Sequence, residues 1–178
     1  DRLSSGELWP VADAELQNKS QRDYYIEAVS REDRGVYASA INLNRELGRI
    51  EMPLVPTLRL ITPLFDEQQR KLGLLVVNVD FSFAEQLLSR DLPVGLDVYL
   101  LSPEGDFLLH PDASKRYAFE FGEPYRWAQQ FDLPMRSDAG AYTTADSPWH
   151  VAMHHIDYDR NNAVFLALVA NDDAIATT

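Results

Sequence analysis

Three polar side chains stand among apolar neighbours in the first half of the chain. Arg59 sits inside the run Pro56-Thr-Leu-Arg-Leu-Ile-Thr-Pro63, and Asn78 and Asp80 close the run Leu72-Gly-Leu-Leu-Val-Val-Asn-Val-Asp80. A polar group packed among apolar ones needs a partner, supplied by the protein or by a ligand. Arg59 can salt-bridge to Glu46 or Glu51, Asn78 can satisfy neighbouring backbone, and Asp80 can cap a helix beginning near Ser82. Each can instead contact a bound molecule. This is the chemistry of recognition, and little in the sequence suggests bond making. There is no Gly-rich phosphate loop, no serine-nucleophile motif and no HExxH, so the chain is not expected to be an enzyme.

Metal chemistry is equally poorly supplied. His154 and His155 are adjacent in a strand-like run and point to opposite faces, while His110 and His150 have no i, i+4 partner on a helix, since His150 and His154 share that strand-like run. The carboxylate pairs Asp157 with Asp159 and Asp172 with Asp173 fall in loop or terminal positions and are expected to be solvated charge. Cysteine is absent, which excludes disulfides, thiolate catalysis and Cys-ligated zinc. The formal net charge of −12 disfavours nucleic acid and anionic lipid surfaces as partners. No cofactor is implied.

The 178 residues allow one large domain or two of about 80 to 100 residues each. Apolar residues make up 46%, enough for a core. Asp13 can cap a short helix reaching Lys19. A second helix follows Ser20 and Asp23, with Tyr24, Tyr25, Ala28 and Val29 on one face. Val36 to Leu43 predicts a strand, Asn44 to Val55 a polar excursion, and the Arg59 and Asn78 runs an antiparallel pair joined through Asp66 to Lys71. Alternation places Thr57, Arg59 and Ile61 on one side of their strand, and Leu74, Val76, Asn78 and Asp80 on one side of theirs. Ser82 with Glu85 forms a capping box for a helix whose apolar stripe is Phe83, Leu87 and Leu88. The connector Asp91-Leu-Pro-Val-Gly95 marks a domain boundary. Beyond it, Leu96 to Leu101 and Phe107 to His110 flank a type I turn at Ser102-Pro-Glu-Gly-Asp106. A short helix at Tyr125 to Phe131 and strands at Gly140 to Thr144, His150 to Tyr158 and Ala163 to Ala170 complete a five-stranded α+β unit.

That ordered set resembles the double Cache (PDC) family of tandem PAS-like sensors, the extracytoplasmic input regions of bacterial histidine kinases, diguanylate cyclases and chemoreceptors. The residues that carry it are Leu16-Gln-Asn-Lys-Ser-Gln-Arg-Asp-Tyr-Tyr25, Tyr37-Ala-Ser39, Leu43-Asn-Arg-Glu46, the Arg59 run, Gly73 to Asp80, Tyr99 to Pro111 and Phe119-Glu-Phe-Gly122. The resemblance implies an α+β fold of two PAS-like domains, each an antiparallel sheet flanked by helices. A membrane-distal domain would span residues 1–90 and a membrane-proximal one residues 91–178. It also implies that the distal domain is truncated at its N-terminus, since the family begins with a long helix and two further strands. Arg22-Asp23-Tyr24-Tyr25 is similar to the Arg-x-Trp-Tyr element of amino-acid-binding members, and Asp80 falls at the position of their strand aspartate. On that resemblance Arg22 clamps a carboxylate, Asp80 pairs with an ammonium, and Tyr24 and Tyr25 wall the pocket; Asn78, Arg59 and Lys19 are further candidate contacts. The implied partners are a small organic solute (an amino acid or another carboxylate), flanking membrane helices and optionally a second copy of the chain. The same elements would also serve a structural or protein-interaction module without a ligand.

Overall fold

The computed structural model describes residues 10–31, 33–136, 138, 140–143 and 147–171. Thr144, Asp172 and Asp173 lie outside them. A single 3-10 turn, Asp13–Glu15, replaces the short helix expected to reach Lys19. Helix α1, Asp23–Ser30, follows with Arg22 at its N-cap; no side chain caps it, so the Ser20 and Asp23 signal is not used.

The predicted strand from Val36 to Leu43 is broken into β1 (Tyr37–Ala38) and β2 (Asn42–Leu43). Both pair antiparallel with β5 (Pro56–Phe65). The excursion between them and β5 is itself structured. Strands β3 (Arg45–Glu46) and β4 (Arg49–Ile50) form a hairpin whose turn residues Leu47 and Gly48 both have positive φ, 51° and 79°. That is the backbone of a two-residue hairpin turn whose twist matches the strands. β5 pairs with β6 (Lys71–Asp80) as expected, and β6 closes the first sheet.

Helix α2, Ser82–Leu88, leaves β6 directly, but not by the predicted capping box. Asp80 Oδ1 accepts from the Ser82 backbone N–H at 3.0 Å and from its hydroxyl, while Glu85 turns inward to accept from the Tyr117 hydroxyl at 2.7 Å. Phe83 and Leu87 are exposed. The apolar stripe expected there is therefore split, with only Leu88 packing inward.

The second sheet runs β8-β7-β11-β10-β9, with β7 at Leu96–Leu101, β8 at Phe107–Leu109, β9 at Gly140–Tyr142, β10 at Trp149–Asp159 and β11 at Asn162–Asn171. These are the five strands predicted. The Ser102 turn closes through the Gly105 N–H to the Ser102 carbonyl at 2.9 Å. Helix α3, Trp127–Phe131, packs Trp127 and Phe131 on Tyr99 and Phe107. A second apolar cluster joins the two sheets: Ile41 and Leu43 from the first pack with Leu108, Tyr117 and Val164 from the second.

At the break between β1 and β2 the Ser39 N–H donates to the Arg59 carbonyl at 2.9 Å, and the Arg59 N–H donates to Ser39 Oγ at 3.1 Å. Side chains of the second half take further backbone groups along β1 and β2. Asp159 Oδ2 accepts from the Ala38 N–H at 2.8 Å, and Asn162 Nδ2 donates to the Ala38 carbonyl at 2.9 Å. The Tyr158 hydroxyl donates to the Ser39 carbonyl at 3.1 Å, and Glu120 Oε1 accepts from the Leu43 N–H at 2.9 Å. Asp159, expected to be solvated, instead has a side chain only 8% exposed, and its Oδ1 lies 2.6 Å from Arg31 Nη2. The hairpin it closes brings it against the first sheet, a long-range contact that the local sequence does not announce.

Candidate binding face

Register fixes which side chains can converge. Thr57 opposes Asp80, Arg59 opposes Asn78, and Ile61 opposes Val76. Asn42 opposes Thr57, and Tyr37 opposes Ile61. Directly opposed residues project from the same side of a sheet, so one face carries Tyr37, Asn42, Thr57, Arg59, Asn78 and Asp80 together. The alternation expected from sequence is the one observed.

Helix α1 lies over part of this face. Ala28 is buried against Tyr37 and Ile61, and Tyr24 packs against them. Tyr24 also presents its ring 5.0 Å from the Arg59 guanidinium carbon, within cation–π range. Tyr25, one residue on, lies outside that cluster and is half-buried.

Arg59 is 2% exposed. Its Nη1 donates to Asn42 Oδ1 at 2.6 Å and its Nη2 to Asn44 Oδ1 at 3.2 Å. The Asn44 amide in turn donates to Glu51 at 2.8 Å, so Glu51 is reached only through a neutral relay. Glu46 is engaged by Gln17 at 2.7 Å and by Lys19 at 3.5 Å. Neither salt bridge considered for Arg59 from the sequence is the contact formed. Burial lowers the Arg59 pKa, while Tyr24 and more distant carboxylates counteract it. A buried guanidinium held by two neutral amides and an aromatic ring leaves attraction available for an anion.

Arg22, half-buried at the start of α1, makes no ion pair among the described residues. With Asn42 and Arg45 it lines a cavity of about 600 Å³ between the two sheets, whose opposite wall includes Phe119, Glu120 and Tyr158. Arg45 is committed to Glu120 at 2.7 Å. Lys19 donates to the Arg45 carbonyl at 3.4 Å.

Arg22, Tyr24, Arg59 and Lys19 are thus gathered at one end of α1. Asn78 shares the face of Arg59 but is exposed, and Asp80 is occupied at least in part by Ser82. Sequence inspection missed Asn42, Asn44 and Glu120. The asparagines carried a signal, since residues two apart on a strand face the same way and both reach one arginine. Glu120, which holds Arg45 and the Leu43 N–H across 75 and 77 residues of chain, carried none.

Two antiparallel sheets follow one another along the chain, joined by a helix that leaves the last strand of the first, in a tandem PAS-like fold. The chain belongs to the family of bacterial histidine kinase sensor domains, which it matches over residues 4–136. No curated protein matches it. A domain of a sensory box/GGDEF family protein from Vibrio parahaemolyticus superposes with a TM-score of 0.75 at 24% identity, over 90% of this chain and 62% of that one. The ligand-binding domain of the Pseudomonas aeruginosa amino acid chemoreceptor PctC, solved with GABA, gives 0.64 at 16%, over 93% and 66%. That of the Pseudomonas fluorescens chemoreceptor CtaA, solved with L-isoleucine, gives 0.60 at 14%, over 91% and 62%. The chain spans less than two thirds of each. No helix among the described residues is long and apolar enough to cross a membrane.

Proposed function

We propose that this chain is the solute-sensing part of a bacterial transmembrane receptor, lying outside the cytoplasm, and that a small organic solute bearing a carboxylate docks where α1 meets the first sheet. Arg59, backed by Tyr24 and joined by Arg22, takes the carboxylate; Asn78 and Asp80 take the polar or cationic end. One observation carries this: Arg59 is buried with only neutral hydrogen-bond partners. The molecules in the PctC and CtaA structures, GABA and L-isoleucine, both join a carboxylate to an amine, a class that fits this arrangement.

Residues 1–90 form the membrane-distal domain and residues 91–178 the proximal one, flanked by membrane helices in the whole receptor. Occupancy biases signalling only to the extent that the solute binds one conformation better than another. The path lies through Asn42 and Leu43, since Asn42 holds Arg59 and Glu120 holds the Leu43 N–H. The test is a thermal-shift screen of the chain against carboxylate solutes. A binder at one hundred times its Kd adds about 2.7 kcal/mol of stability, and Arg59→Gln and Tyr24→Ala should each abolish the shift while retaining the folded spectrum. A binder whose shift survives both substitutions overturns the proposal, as does a panel with no binder.

A further inference from the structure

The second sheet holds a buried titratable ring that the solute site does not use. His110 follows β8 directly and is buried. Its Nδ1 lies 2.9 Å from the Asp112 backbone N–H, which can only donate, so Nδ1 must accept. The ring proton therefore sits on Nε2 and is given to Gln130 Oε1 of α3 at 2.8 Å. Lys115 Nζ donates to the same oxygen at 3.2 Å, which fixes the orientation of the Gln130 amide. Both ring nitrogens are thus committed in the neutral form.

A second proton would sit on Nδ1 and face the Asp112 N–H, donor against donor. The ring has little room to turn away. Phe107 of β8 and Tyr99 of β7 hold it edge-to-face at 4.7 and 5.1 Å. The following residues, Pro111 to Ser114, are exposed and can yield. Other groups around the ring give a second charge little support. Asp112 is turned onto Ser114, Lys115 is itself a cation, and Arg116 donates to the His110 carbonyl at 2.6 Å. Burial pushes the His110 pKa below the ordinary 6.5, Lys115 adds to this, and Gln130 and Asp112 oppose it. The segment ends on Tyr117, buried with φ 54°, a left-handed backbone that tyrosine adopts only under constraint. The Tyr117 hydroxyl donates to Glu85 of α2, the helix that leaves the first sheet.

We propose that residues 110–117 form an acid-released latch: a proton taken up by His110 opens the segment and, through Tyr117, loosens the hold of the second sheet on α2. The folded ring is neutral, so the latch is closed above pH 6.5 and weakens as pH falls below it. It shares no residue with the Arg59 face, so its test succeeds or fails independently of solute binding. The test is amide hydrogen exchange of the whole chain by NMR, from about pH 7.5 to about pH 5, corrected for the intrinsic pH dependence of exchange. Protection at Asp112, Arg116 and Tyr117 should fall about tenfold for each pH unit below 6.5, the slope of one proton taken up on opening, until the folded ring itself titrates. Amides of β5 and β6 should keep their protection. His110→Asn, which retains an acceptor for the Asp112 N–H and takes up no proton, should remove the dependence. The wild-type imidazole nitrogens give a reading that needs no variant, with Nε2 protonated and Nδ1 bare at neutral pH. Protection at Asp112 that is independent of pH, a slope retained in His110→Asn, or a neutral ring with its proton on Nδ1 would overturn the latch. A Tyr117 amide that stays protected while Asp112 opens would refute the link to α2.

Discussion

Asp159→Ala should be among the more damaging single substitutions at the contact between the two sheets. The carboxylate accepts from Arg31 Nη2 at 2.6 Å, the Ala38 N–H at 2.8 Å and the Arg160 N–H at 2.7 Å, with its side chain 8% exposed and that of Arg31 16%. Removing one partner of a buried ion pair costs about 3–5 kcal/mol. The loss includes an unsatisfied Ala38 N–H, worth about 1–3 kcal/mol where buried. Arg31 keeps Glu27 at 3.6 Å and the Tyr37 ring at 4.3 Å, so the lower end, about 3 kcal/mol, is expected. For a chain of this size that lowers the midpoint of thermal unfolding by about 6–12 °C. Asp157→Ala, two residues earlier in the same strand with a side chain 76% exposed, is the control and should stay within about 0.5 kcal/mol of wild type. Urea unfolding of the three proteins followed by tryptophan fluorescence and by circular dichroism measures both. The pH dependence has a definite sign. Burial alone would raise the Asp159 pKa, but the Ala38 N–H and Arg31 hold it below the ordinary 3.8. The deprotonated form is thus favoured by folding, so the contribution is full above pH 3.8 and fades as pH falls through the lower folded value. An Asp159→Ala protein as stable as Asp157→Ala would refute the bridge.

Glu85 has the opposite sign. Its burial raises its pKa, against the Tyr117 hydrogen bond that lowers it. The fold therefore carries a penalty for the charged form that grows as pH rises through the ordinary 4.5. Glu85→Gln, which keeps an acceptor for Tyr117, should raise the thermal midpoint at pH 7, with the difference from wild type shrinking below pH 4.5; an unchanged midpoint at both pH values would count against a buried, penalised carboxylate. Gly105 has φ +86°, and a Cβ there would meet Met135 Sδ at 3.1 Å. Gly105→Ala should cost about 1–2 kcal/mol in urea unfolding, the cost of a left-handed backbone for an L side chain.

Much of this architecture was legible because it is local. The β5–β6 hairpin, the five strands of the second sheet and the shared face of Arg59 and Asn78 all follow from period-two alternation and turn residues. What was hidden depends on contacts across the chain. The contacts beside the break at Ser39 to Ile41 come from side chains more than 75 positions away, which no window of sequence contains. Glu85 belonged to a capping pattern in sequence, yet Tyr117 draws it inward. The β3–β4 hairpin was obscured because its two-residue strands are too short to show alternation and its turn begins with Leu47 rather than Asn or Asp. The pairing of Arg59 with Asn42 and Asn44 was half visible: the spacing of the two asparagines points to one face, but only the register of β2 on β5 shows what they meet.

The most direct measurement is on Arg59 itself. The chain, labelled with nitrogen-15, is titrated with the carboxylate solute that stabilises it most, and the Arg59 side-chain resonance is followed together with the Tyr24 ring. Solute sensing at this face predicts that both shift to saturation with the same Kd as the thermal effect, and that the Arg59 guanidinium protons become protected from exchange. Resonances of Arg59 and Tyr24 that stay fixed while residues of the second sheet titrate would contradict it.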